Sequence, residues 1–274
     1  MYRLSTLCAV GVFAAATSAN ALTITPTEDP STLATSILGT GVTITSSSLV
    51  NDGLDVAAGT FTNGDDAGIG ISSGIILTSG DASLAVGPNT SASSSGDGTQ
   101  TTLSISFTTT TGDLFFNYVW ASEEYNEFVD SNFNDTFTFL LDGPDIDEQN
   151  IALIPGTDQP VEIDTVNNGD NAGLFNDNDA GAGSPFNIEY DGFTDVFTAS
   201  ATGLTAGTVY TIDLIVSDTG DEIYDSAVFI QGSSFGGVTP PDPGGMAPVP
   251  LPASLPLLLA GLGVFGFMRR RASA

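Results

Sequence analysis

The stretch from Glu123 to Asp135 is the richest in oxygen ligands. Glu123, Glu124 and Glu127 come first, followed by Asp130-Ser131-Asn132-Phe133-Asn134-Asp135. Asp130, Asn132 and Asn134 stand at the D-x-N-x-N spacing with which the first half of a calcium loop turns short side-chain oxygens toward one hard cation. The complete helix-flanked pattern fails. Asp135 takes the sixth place, where glycine belongs, and Leu141 the twelfth, where a bidentate Glu belongs. Calcium held here needs other ligands, and Glu123 and Glu124 are the near candidates. The competing reading is a solvated turn between two strands.

A second acidic group, Asp218-Thr219-Gly220-Asp221-Glu222 with Asp225 close behind, follows the apolar run Leu214-Ile215-Val216. Asp-Thr-Gly invites an aspartic-protease reading, but that chemistry needs two such aspartates sharing a proton. No second D-[ST]-G exists in the chain. A strand-end loop in which Asp218, Asp221 and Asp225 supply further metal ligands fits better. Whether it meets the Glu123 loop in space is open at the level of sequence. Asn176 to Asp179 is also oxygen-rich, but Ala180 interrupts the pattern and a flexible solvated loop is expected. Asp65-Asp66 and Asp142 through Glu148 read as surface turns.

The charge distribution sharpens these readings. All four basic residues are Arg3 and Arg269 to Arg271, against 33 acids and no histidine, for a net charge of -29. The region between carries no cation to pair with any carboxylate. Self-repulsion on that scale opposes compaction unless metal ions or salt offset it. Histidine-dependent nucleophiles and Schiff-base lysines are excluded. So are zinc sites of the usual His/Cys kind and phosphate or nucleic-acid contacts through Arg or Lys. Carboxylate chemistry and hard-cation binding survive, with calcium the expected cofactor. A glycoside hydrolase acting on extracellular polysaccharide is the alternative, since two carboxylates suffice. Glu123 and Glu124 are adjacent and point to opposite sides of a strand, so the pair would be one of them with Asp218 or Asp221. Trp120, Tyr118 and Tyr125 would then line a sugar platform, or else belong to the core.

The elements that must position these groups read as all-β. Short β-branched and aromatic runs, punctuated by Gly, Pro, Asn and Asp, predict a β-sandwich or jelly-roll-like domain. Strands are expected at 42–45, 74–79, 102–108, 113–120, 136–141, 151–154, 161–166, 193–199, 208–216 and 227–231. Leu103, Ile105 and Phe107 alternate with Ser and Thr, which marks one buried and one wet face. One short N-terminal helix is expected, with Asp29 or Ser31 as N-cap, Pro30 in the opening turn and Gly39 as the stop.

Both ends read as addresses. Arg3, the apolar Leu4 to Ala16 and Ala19-Asn20-Ala21 make a signal peptide over residues 1–21, which removes Cys8 and leaves no thiol. The domain then covers 22–237 and a Pro/Gly linker 238–248. The tail, 249–274, holds Val249-Pro250-Leu251-Pro252-Ala253, an apolar run Leu255 to Met268 and three arginines. That run spans ~21 Å as a helix, short of a ~30 Å hydrocarbon core. A start at Leu251 makes it a marginal span disturbed by Pro252 and Pro256. The arginines fix its end on the cytoplasmic side.

The tail resembles the VPLPA-type, PEP-CTERM-like sorting domain of Gram-negative bacteria. That resemblance implies an exosortase-type transpeptidase as partner, a hydrophobic sorting helix held in the inner membrane, and onward passage to the cell surface. An ordinary single-span anchor is the alternative, and it places the same domain outside. Ala121-Ser122-Glu123-Glu124-Tyr125, Phe133-Asn134-Asp135-Thr136-Phe137, Gly74 to Gly80, Asn150 to Thr157 and Asp225 to Ile230 resemble the choice-of-anchor L domain, over roughly Leu33 to Phe235. No established activity comes with that resemblance. The expected function is a calcium-binding adhesion or structural module, without catalysis. A link to biofilm or exopolysaccharide is implied by the sorting-tail family.

Overall fold

Alternation decides which strands meet water on one side and which are buried on both. The computed structural model describes residues 21–51, 56–89, 100–219 and 224–241. The expected signal peptide, Asp221 and the sorting motif Val249 to Ala253 lie outside them. In chain order the strands are β1 (Thr23–Pro26), β2 (Val42–Asn51), β3 (Ala58–Thr62), β4 (Ser73–Thr78), β5 (Gln100–Thr109), β6 (Asp113–Ser122) and β7 (Thr136–Gly143). They continue as β8 (Ile146–Asn150), β9 (Phe175–Asp177), β10 (Gly192–Thr194), β11 (Phe197–Thr202), β12 (Val209–Ser217) and β13 (Ser226–Gln231). Helix α1 is Pro30–Ile37, and Asp29 caps it by accepting from the Ser31 N–H at 3.2 Å.

Two antiparallel sheets face each other. One runs β2-β5-β12-β7-β8; the other runs β1-β3-β4-β13-β6-β10-β9, with β11 also paired to β6. Between them lies the main core, which includes Leu103, Ile105 and Phe107 of β5 and Tyr118 and Trp120 of β6. Trp120 stacks on Phe137 with centroids 4.6 Å apart. Tyr118, Trp120 and Tyr125 are all fully buried, so they are core residues and form no sugar platform.

The second sheet is buried twice. Ile76, Val119 and Phe229 point away from the main core into a second apolar cluster with Phe186, Ile188, Tyr190 and Phe193. This is why β4, β6 and β13 read as unbroken apolar runs, while β5, β7 and β12 alternate.

The sandwich was legible, with local differences. The apolar residues at 151–154 and 161–166 are buried, save the half-buried Leu153, but form no strand, with only the isolated bridges Leu153–Pro160 and Thr136–Glu162. The ladder neighbour of β7 is instead β8, within the segment read as a surface turn. The expected strand 193–199 is cut at Asp195, because the Thr194 hydroxyl takes the Trp120 N–H and Asp195 donates to the Leu174 carbonyl. The loop around Asn178 is pinned rather than loose. Its buried amide donates to the Ile188 and Tyr190 carbonyls and accepts from the Phe186 N–H.

Candidate functional site: the acidic end of the sandwich

At one end of the sandwich the core layer Leu77, Trp120, Val228, Val216 and Phe137 gives way to polar side chains. Ser122 pairs with Ser226, and Ser79 donates its N–H to the Ser226 carbonyl. On the facing sheet Ser217 pairs with Thr136, and the next residues stay together: the Thr219 N–H donates to the Asp135 carboxylate at 2.8 Å. The Asp218 loop and the Glu123 loop therefore meet.

The β6–β13 ladder extends one residue past Ser122–Ser226, through a Glu123 N–H to Asp225 carbonyl bond of 3.0 Å. Glu123 and Asp225 thus stand directly opposite each other just past the ends of β6 and β13. Glu123 is 3% exposed, Asp225 6%, and Asp135 wholly buried. Burial above all, together with the charges of Glu123, Asp218, Asp135 and Asp81, pushes the Asp225 carboxyl up to about 8. The buried Tyr190 hydroxyl, held well above its usual range mainly by burial, also feels Asp225, Glu123 and Asp81. The Ser226 hydroxyl, buried in the same ladder, has no hydrogen-bond partner among the described residues.

The neighbouring loop is tied on by aromatics. Phe128 packs on Phe133 at 5.5 Å and on Tyr224 at 5.3 Å, which brings the two acidic segments together. Glu124 is buried at the loop's start. Asp130 and Asn132 are exposed, and the Asp130 N–H donates to Asp164. The Asn134 amide donates to Glu162 at 3.1 Å. The structure therefore gathers Glu123, Asp135, Asp218 and Asp225, and leaves Asp130 and Asn132 in solvent.

Two features escaped the sequence reading. Asp81 joins the acidic end from the turn after β4, where its carboxylate caps Ser83. Its position just past an apolar strand was the available signal. Glu127, Asp179 and Asp191 also bring carboxylate oxygens within 4.8 Å of one another. Burial is the main cause that raises Asp191 to about 6; the Asn89 amide opposes the shift, while Asp179, Glu127 and Glu189 add to it. These three come from separate loops, so no spacing in the chain announces them. Glu127 is exposed, and water relieves this group as it does not relieve Glu123 and Asp225.

Among the described residues no helix is long and apolar enough to cross a membrane. No curated protein and no solved structure matches the chain. Residues 248–272 match the PEP-CTERM protein-sorting motif, and residues 23–236 match the Choice-of-anchor L domain. The chain is an exosortase-sorted surface protein of all-β build, and it belongs to the choice-of-anchor L domain family.

Proposed function

We propose that the acidic end of the sandwich binds calcium and that the domain serves as an adhesive or structural module at the cell surface, not as a catalyst. One observation carries the reading: Glu123 and Asp225 oppose each other on adjacent strands, both buried, in a domain without a single Lys, Arg or His. Like charges directly opposite on a sheet are destabilising, and burial removes the water that would screen them. A calcium ion accepts six to eight oxygens. The carboxylates of Glu123, Asp225, Asp135 and Asp218 offer oxygens of that kind. A bound ion would join β6 and β13 of one sheet to the β7 and β12 ends of the other. The exported domain would then be firm outside the cell, where calcium is plentiful, and looser when the metal is withdrawn. Attachment to extracellular polysaccharide follows from the surface address and rests on no residue of this site.

The test is a thermal melt of residues 22–247 at fixed ionic strength, with calcium, with magnesium and with chelator. Binding to the native state alone adds about 2.7 kcal/mol at a hundredfold excess over Kd. A calcium-specific rise that Glu123→Gln and Asp225→Asn abolish is the expected result. Equal responses to calcium, magnesium and salt would reduce the acids to solvated surface. A polysaccharide hydrolysis that Glu123→Gln stops without moving the melt would establish the hydrolase instead.

A further inference from the structure

The two faces of this sandwich are treated differently. Loops and the second apolar cluster cover the eight-stranded sheet. Among the described residues the outward positions of β2, β5, β12 and β7 are exposed or part-exposed, and none of them is buried. These four strands contain only two acids, Asp142 and Asp213, in a chain of 33. Their outward positions are mostly Ser and Thr, arranged in cross-strand rows such as Ser46, Ser106 and Thr211. The Ser106 and Thr211 hydroxyls lie 3.1 Å apart. Val50 and Val209, 60% and 53% exposed, stand on the same face and are two of the four most exposed large apolar residues of the described chain.

We propose that this face is a self-association surface, on which a second copy of the same chain packs sheet to sheet. Three arguments select that occupant. Interface cores are depleted of charge, and on these four strands the acid load falls to Asp142 and Asp213. Everywhere else two copies meet as like-charged bodies.

Self-complementarity is the second argument. A twofold contact sets the same patch against itself. A carboxylate array repels its own copy, whereas a hydroxyl both donates and accepts and can pair with its own kind.

Size is the third. Four strands ~4.8 Å apart and about nine residues long cover roughly 19 by 30 Å. That is about 600 Å² a side, or about 1,200 Å² in all, the lower end of the standard range for specific interfaces. Asp213, near the middle of the central strand β12, sets a charge where the copies meet, so association is weak and reversible.

The experiment uses the full chain in its own membrane, carrying Cys8→Ser and one introduced cysteine at Ser104, Ser106, Thr211 or Ile215. Asp158→Cys, on an exposed loop outside these four strands, is the control. Mild oxidation followed by a non-reducing gel should give a band at twice the chain mass for the face positions, at least tenfold above the control. Asp213→Asn should increase that band, and Thr211→Asp combined with Ser104→Cys should abolish it. Glu123→Gln, which empties the proposed metal site, should leave it unchanged, so the two readings fail separately. Cross-linking no greater than the control, with each variant still protease-resistant, would overturn the proposal. So would a band at some other mass, which would assign the face to a different protein.

Discussion

Glu123 and Asp225 face each other across neighbouring strands, joined by a 3.0 Å backbone hydrogen bond while both residues are buried. The backbone holds together what the side chains push apart. Removing one charge therefore acts in opposite directions with and without metal. In chelator above pH 8, where Asp225 is ionised, Glu123→Gln should raise stability by about 1 kcal/mol, the scale of a like-charge cross-strand pair. In calcium it should lower the melting point below wild type. Paired melts of wild type and variant decide this, and a variant that is less stable in both conditions contradicts it.

Asp191 predicts a pH effect with a definite sign. Its folded carboxyl lies near 6, above its ordinary 3.8, with burial the main cause. Between those values the folded state holds a proton that the unfolded chain has released. Stability therefore falls as pH rises from about 4 to 6 and is level above. Asp191→Asn keeps an oxygen for the Asn89 amide and should remove about 1–2 kcal/mol of that fall, allowing for screening of a half-buried group. Urea titrations between pH 4 and 7, in chelator, measure the difference.

The stacked pair Trp120 and Phe137 locks the two sheets at the core layer beneath the acidic end. Phe137→Ala should cost about 3–5 kcal/mol. Because the cavity lies beneath the proposed metal site, calcium affinity should also fall, which calorimetric titration would show.

Gly74 is fixed by contact rather than by dihedral angle. A Cβ there would run into the Ile230 carbonyl oxygen of β13. Gly74→Ala should destabilise by about 1–3 kcal/mol, as an overpacked site does. The same change at Gly156, which has open space, costs only the strain of its positive φ. Denaturant midpoints of the two variants compare them directly.

Where a residue's environment depends on its near neighbours, the sequence was readable. Leu103, Ile105 and Phe107 announced β5 because period two is local, and Asp29 with Pro30 announced α1 for the same reason. The turn at 161–166 was misread because Val161, Ile163 and Val166 are buried without belonging to a strand. The opposition of Glu123 and Asp225 depends on the register of two strands a hundred residues apart, which no local pattern encodes. The convergence of Glu127, Asp179 and Asp191 depends on three loops folding over the second sheet. Both acidic groups were visible as composition and invisible as geometry.

The way the domain ends gives the molecule a mechanical axis. After β13 the chain is stitched at the pole opposite the acids: Gly236 exchanges two backbone hydrogen bonds with Phe115, and Gly237 donates to Thr40. Tension arriving through the linker enters along β13, an interior strand flanked by β4 and β6. Such a load shears two ladders at once instead of peeling an edge. The far end of that strand is Asp225, so an ion held there would be the rivet that the pull must break last.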